Sequence, residues 1–348
     1  VFCKNMKDIH KDLFIIQNHI ELSMNYMNKF YDISNKFSTY NQFNINMKEH
    51  LLNLEKMNNS LKLITPLDIS IKKFNQVGHV RKCFYQINYN ENFKNSLKYS
   101  FEFCGYIDIL NGIKSSINNS LLGKCKFSKN KTKFRNAYFP ITEKKPVKNT
   151  YNLDKHMIIT GPNAAGKTTL LKTTLFNIIL SQQIGYGCYK SASLVVFNNI
   201  HCYINIPDTT GRDSLFQAEA RRCKDILTLV EKNSSERHFC VFDELYSGTN
   251  PYEAISSAAA FLKYLNKFPN VCFILTTHFL DLCKNLDNEE KIKNYHMEIL
   301  GNQLNFTYTY KLISGISNIK GGVKVLNDLE YPQEIIEETQ KVISDLII

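Results

Sequence analysis

Residues 161–168 read Gly161-Pro162-Asn163-Ala164-Ala165-Gly166-Lys167-Thr168 and satisfy the pattern GxxxxGK[ST]. That pattern suits a polyphosphate. Gly161 and Gly166 permit a tight turn whose backbone N–H groups converge on one point. The apolar run His156–Thr160 ahead of it reads as a strand, and Thr169–Leu180 after it reads as a helix. The helix starting at Thr169 would add positive potential at its N-terminus. Lys167 can reach β- and γ-phosphates, and the Thr168 hydroxyl can ligate Mg²⁺.

Two further clusters have the residue types that complete such chemistry. Asp243 and Glu244 close the apolar run His-Phe-Cys-Val-Phe-Asp. In an open parallel sheet, the C-terminal strand edge holds the ligand crevice. Asp243 there would hold Mg²⁺, and Glu244 would orient and polarise an attacking water. Thr276, Thr277 and His278 end the next run, Val271–Thr277. His278 is placed to hydrogen-bond a γ-phosphate or that water. A third stretch, Asp208 to Glu219, places Ser214 before a helix with apolar positions Phe216, Ala220, Cys223, Leu227 and Val230. Ser214 reads equally as a plain helix N-cap or as a phosphate ligand, in its own chain or another.

Two kinds of architecture must position these residues. Apolar groups at Ile9, Leu13, Ile16, Ile20, Met24 and Met27 recur at steps of three and four, which predicts a helix over 5–33. Residues 44–64 repeat the pattern up to Thr65-Pro66, and 93–120 carries it through Leu97, Phe101, Cys104, Ile107 and Leu110. From about 151, short apolar runs alternate with amphipathic helices; the strands expected are 156–160, 193–197, 238–243 and 271–277. Continuous apolar strands between helices predict a sheet covered on both faces. Residues 296–312 alternate about Gly301-Asn302, as in a hairpin. Val323–Leu346 reads as two short helices parted at Pro332, a packing or dimerisation tail. The expected division is a helical domain over 1–135, an α/β domain over 136–322 and a helical tail over 323–348. The stretch 121–150 is expected to be a connector ending in short strands near Ala137–Ile141.

The chain has 348 residues, long enough for two domains with real cores. No run of about 18 apolar residues appears, so a membrane-spanning helix is not expected. The ten cysteines form no CxxC and sit in apolar stretches. Buried, reduced thiols in an intracellular compartment, cytoplasm or nucleus, are the expectation. The chain opens on Val1 without a targeting pattern, as a piece of a longer protein would. Charge is uneven: residues 1–150 carry 24 Lys and Arg against 11 Asp and Glu, while 151–348 carry 19 against 21. A basic first half suggests an anionic partner, nucleic acid first, or else a solvated Lys/Asn-rich surface. No particular residue is marked for DNA contact.

Taken together, these elements resemble the ATPase domain of the MutS family of DNA mismatch-repair proteins, within the ABC-type ATPases. The resemblance rests on Thr160-Gly-Pro-Asn163 through Lys167-Thr168, on Asp208, Ser214, Phe216 and Glu219 of the signature stretch, on Asp243-Glu-Leu-Tyr-Ser-Gly248-Thr249-Asn250, and on Thr277-His278-Phe279. It is strong over about 155–345 and weak over 1–150. It implies an α/β P-loop NTPase domain preceded by a mainly helical one, with ATP and Mg²⁺ as ligands and a head-to-tail homodimer or MutS-like heterodimer. Ser214, Phe216 and Glu219 would then complete the partner's nucleotide site in trans. ATP binding would clamp the two domains together and hydrolysis would release them, moving the helical arms on duplex, mismatched or branched DNA.

The sequence departs from the family in places. Ala164-Ala165 stands where the family commonly has Met-Gly, with Ala165 expected to lose some backbone freedom, and Arg212 stands where short members tend to carry Gly. Nothing among these residues resembles the family's N-terminal mismatch-reading domain or its Phe-x-Glu wedge. An ABC- or SMC-like ATPase, or a nucleotide-gated assembly module on a protein partner, is the alternative. The absence of an LSGGQ-like stretch and of long heptads weighs against the first form.

Overall fold

The computed structural model describes residues 5–67, 71–140, 145–204, 214–301, 306–317 and 321–345. Two compact units divide between Ser116 and Ile117, ahead of the expected boundary at 135/136. The Lys-rich stretch accounts for the difference: it forms strands that belong to the second unit.

The first unit is helical, with α1 (Met6–Ser34), α2 (Asn41–Lys62), α3 (Ile71–Tyr89) and α4 (Glu91–Asn118). Its core joins Ile9, Leu13, Ile20 and Met27 of α1 to Met47, Leu54, Met57 and Leu61 of α2. These are the periodic positions read from sequence. Helix α3 has no counterpart among the expected helices, because Ile71 and Phe74 at its start are exposed and its apolar pattern is sparse. Helix α4 forms but buries a different stripe. Ser96, Ser100 and Phe103 face inward, whereas Phe101 and Leu110, expected inside, are exposed. The buried hydroxyls are tolerated because imidazoles pair with them, His50 Nδ1 to Ser96 Oγ at 3.0 Å and His19 Nε2 to Ser100 Oγ at 2.9 Å. Phe101 instead stacks on His19 from outside, with ring centroids 3.9 Å apart.

The second unit is mixed α/β. Its strands are β1 (Gly123–Phe127), β2 (Lys133–Ala137), β3 (Asn149–Asn152), β4 (His156–Thr160), β5 (Tyr186–Gly187), β6 (Ser191–Leu194), β7 (Asn199–Tyr203), β8 (His238–Asp243), β9 (Val271–Thr276), β10 (Ile292–Gly301) and β11 (Phe306–Ser314). Its helices are α5 (Lys167–Ile184), α6 (Leu215–Lys232), α7 (Pro251–Leu265), α8 (Leu280–Leu286), α9 (Gly322–Asp328) and α10 (Gln333–Asp345). The main sheet runs β11-β10-β4-β9-β8-β7. Its five strands from β10 to β7 are parallel, and β11 returns antiparallel on β10. The turn of that hairpin lies outside the described residues.

Burial on both faces explains the unbroken apolar runs. Cys240 and Phe242 of β8 pack towards α6, α7 and α8. Phe239 and Val241 pack the other way, with α5 residues Leu170, Leu171 and Ile178. A second sheet, β3-β2-β6-β1-β5, adds Phe134, Tyr151 and Leu194 to that same core. The run 193–197 therefore is not a main-sheet strand as expected. Its first residues end β6, and the main-sheet edge is β7, which the sequence pattern did not single out. The tail divides at Pro332 into α9 and α10. Among the described residues, no helix is long and apolar enough to cross a membrane, and the nine described cysteines are unpaired.

Candidate functional site

Strand register gathers the acidic and hydroxyl groups at one sheet edge. Asp243 lies opposite Thr276, and Thr276 opposite Ile159, so the C-terminal ends of β8, β9 and β4 are level. Asp243 Oδ1 accepts hydrogen bonds from Thr168 Oγ1 at 2.9 Å and from Thr276 Oγ1. Two backbone bonds fasten the strand ends together, Glu244 N–H to Thr276 O at 3.0 Å and Thr277 N–H to Ile159 O at 3.1 Å.

The loop between β4 and α5 turns through positive φ at Gly161, Ala164 and Gly166. Gly166 is the N-cap of α5 with φ 95°, a conformation open to glycine. The left-handed alanine is Ala164, with φ 61°, not Ala165. Ala165 is buried and donates its N–H to Pro162 O at 3.3 Å. The cost of lacking glycine therefore falls on Ala164, on the order of 1–2 kcal/mol.

Lys167 turns inward, with its side chain only 5% exposed. Its ammonium lies 3.3 Å from Pro162 O, 3.1 Å from His278 Nε2 and 3.6 Å from Glu244 Oε1. Glu244 Oε1 is itself 3.1 Å from His278 Nε2. The three groups form a closed triangle. One imidazole nitrogen cannot accept from the ammonium and donate to the carboxylate at once, so these contacts compete. Burial lowers the Lys167 pKa, and the neighbouring Glu244 and Asp243 carboxylates pull it back up. A buried ammonium that stays charged favours an anion alongside it.

These groups edge a cavity of about 830 Å³. Pro162, Asn163, Ala164, Gly166, Lys167, Thr168 and Thr169 line it, with Glu244 and His278 opposite. Asp243 sits behind Thr168. Sequence reasoning missed the remaining wall: Phe139, Pro146 and Val147 after β2, together with Met297 and Tyr310 of the hairpin. The side-chain amide of Asn149 joins these segments. It donates to Tyr310 O at 3.0 Å and accepts from the Leu312 N–H at 2.9 Å. Nothing in the spacing of these residues marks them, since they meet only in the folded sheets.

The signature stretch lies apart from this cavity. Ser214 caps α6 in a reciprocal box: its Oγ accepts the Gln217 N–H at 3.3 Å, and Gln217 Oε1 accepts the Ser214 N–H at 3.0 Å. Phe216 packs on Tyr246, with centroids 5.6 Å apart. Glu219 is buried and accepts from Ser247 Oγ and the Gly248 N–H, each at 3.1 Å. It thereby ties α6 to the segment that follows Glu244. Gly248 meets α6 so closely that a Cβ there would lie 2.6 Å from Leu215 Cγ and 2.9 Å from the Phe216 nitrogen. Asp208 and Arg212 lie outside the described residues.

A parallel sheet with a glycine-flanked loop, a buried lysine and strand-end carboxylates at one edge defines a mixed α/β domain with a candidate ligand site at its strand ends. Residues 157–347, more than half of the chain, match the family described as MutS domain V. The chain belongs to that family. It is 31% identical over 188 residues to the DNA mismatch repair protein MutS of Persephonella marina, covering 53% of this chain and 21% of that protein. It is 31% identical over 198 residues to the MutS of Parabacteroides distasonis, covering 55% and 22%, and 26% identical over 190 residues to that of Streptococcus sanguinis, covering 54% and 22%. The matched stretch thus spans about a fifth of the length of these relatives.

Proposed function

We propose that residues 117–348 form a P-loop ATPase domain of the MutS type that acts as a dimer in a DNA mismatch-repair or related transaction. The observation that carries the ATPase reading is the convergence of Lys167, Thr168, Glu244 and His278 on one cavity, with Asp243 bonded to Thr168. The loop N–H groups and the start of α5 would receive the phosphates. Thr168 and Asp243 are hard oxygen donors of the kind Mg²⁺ takes, and one carboxylate with one hydroxyl is enough when substrate phosphates supply other ligands. Mg²⁺ bound there would neutralise charge on the phosphates. Lys167, drawn to a phosphate, would leave the triangle. Glu244 would then be free to orient water, and His278 to bond the phosphate or that water.

The dimer reading draws on different observations. Ser214 does not line its own chain's cavity, yet it is exposed and its hydroxyl proton is not used in the capping box. A hydroxyl and a helix N-terminus facing outward suit a phosphate held by another copy. Helices α9 and α10 leave Val325, Leu329, Ile335 and Val342 exposed, which suits a tail that packs against a partner. The DNA role rests on the names of the relatives and on the chain's positive charge.

The direct test is equilibrium binding of a fluorescent ATP analogue with Mg²⁺. The full chain is expected to bind and Lys167→Ala to lose binding. Equal affinity in the two proteins would end the ATPase reading.

A further inference from the structure

The second sheet has one packed face and one bare face. Along β1, buried Cys125 lies between exposed Lys124 and Lys126; along β2, buried Phe134 lies between exposed Lys133 and Arg135. Between them β6 buries Ala192 and Leu194 and turns Ser191 and Ser193 outward. Lys126 is opposite Ser193, Ser193 opposite Lys133, and Lys133 opposite Asn152. Ser191 is opposite Arg135, and Lys124 shares that row because Cys125 pairs with Ala192. Four cations therefore stand at the corners of a grid, ~10 Å across two strand spacings and ~7 Å along the strands. Serine hydroxyls lie between them.

None of the four side chains has an ion-pair or hydrogen-bond partner among the described residues. Glu143 is the only acid in residues 117–150. The β1–β2 turn adds exposed Lys129 and Lys131. It leads to a cleft of about 360 Å³ where Lys129, Lys155, Arg237 and Lys291 meet a single acid, Asp154. Like charges ~7–10 Å apart repel one another, in water as in protein. A polyanion offsets that repulsion, and Lys, Arg, Ser, Thr and Asn are the side chains that contact phosphate oxygens. A flat sheet face offers no helix or ribbon to enter a groove, so contact stops at the backbone.

We propose that this face binds the phosphodiester backbone of duplex DNA without regard to sequence. The inference rests on the DNA-associated reading above and narrows the contact from the basic first 150 residues to one sheet face of the second unit. The test compares fluorescence-anisotropy titrations of a labelled duplex across a salt series for three full-length proteins: wild type, K124Q/K126Q/K133Q/R135Q, and a helical-unit control, K11Q/K29Q/K36Q/K56Q. The face variant is expected to bind at least ~10-fold more weakly near 0.1 M salt, with a slope of log K on log salt shallower by about 3 to 4. The control is expected to stay within about twofold of wild type. ATP-analogue affinity, unchanged in both variants, reports that they fold. The milder K126Q/R135Q, expected to lose about half of the slope change, serves if the quadruple variant does not.

Wild-type binding that the face variant retains in full overturns this proposal and leaves the DNA reading standing. A wild type that ignores duplex at low salt overturns both while ATP-analogue binding stands. So does one that sediments with phosphatidylserine vesicles but not with duplex.

Discussion

Glu244 is the residue on which the proposed chemistry turns. It follows the last residue of β8 with φ 54°, a left-handed conformation that L side chains rarely adopt. That backbone aims its carboxylate at His278 and Lys167 instead of into the sheet. Glu244→Gln keeps the shape and removes the charge. We expect turnover in a steady-state ATPase assay to fall by about 10²–10⁴-fold, with analogue affinity retained. Turnover at the wild-type rate would show that some other group positions the water. Lys167, Thr168, Asp243, Glu244 and His278 were legible in the sequence because each belongs to a contiguous pattern at the end of an apolar run. Phe139, Val147 and Tyr310 were not, since a cavity wall made from three separate segments leaves no spacing to read. Ala164 illustrates a third case, in which the residue type was visible but the left-handed position in the turn was not.

Helix α6 joins the signature stretch to the acidic strand end, and two substitutions separate its roles. As a cap alone, Ser214→Ala costs about 1 kcal/mol of stability and Ser214→Asn almost nothing. If Ser214 also serves a second copy, both variants lose ATP-dependent dimerisation and turnover. Light scattering with nucleotide alongside thermal melting distinguishes the outcomes: a variant that dimerises normally limits Ser214 to its cap. Gly248→Ala drives a methyl group into Leu215 and the Phe216 backbone, forcing α6 away from the Glu219 bonds. Turnover is expected to drop at least ~10-fold, the scale of a 1.4 kcal/mol misplacement, with ATP-analogue affinity near wild type because Gly248 does not line the cavity. Wild-type turnover would mean that this contact is slack. Elements with strong periodicity, such as α1, α2 and β8, could be read from the sequence. Helix α4 misled because imidazole-paired serines occupy its inward face, and β6 because its short run resembles a central strand.

Across the whole molecule, buried imidazoles set the response to acid. Burial pushes the His156 pKa down from 6.5 to about 4. Its Nδ1 accepts the Phe273 N–H at 3.2 Å, a bond only the uncharged ring can make there. Burial likewise lowers His201 to about 4, with neighbouring His238 adding to the effect. Both groups bind a proton first in the unfolded chain. Stability is therefore full above about pH 6.5, falls as pH drops from there towards 4, and levels off below. His156 alone accounts for up to roughly 3 kcal/mol. Urea unfolding across that range should show the decline, and a flat profile between pH 7 and 4.5 would contradict it. The two-unit division was broadly visible in the contrast between periodic helices and apolar strands. Its exact place was not, because a Lys-rich stretch reads as a linker until its strands find their partners.

Gly321, the N-cap of α9, lies against the loop between β4 and α5: a Cβ there would come within 2.5 Å of the Cβ of Pro162. Glycine, with no Cβ, is what lets the two segments approach this closely. Position 321 therefore has room for glycine alone while loop and tail keep this spacing, and a larger residue there would force one of them to move.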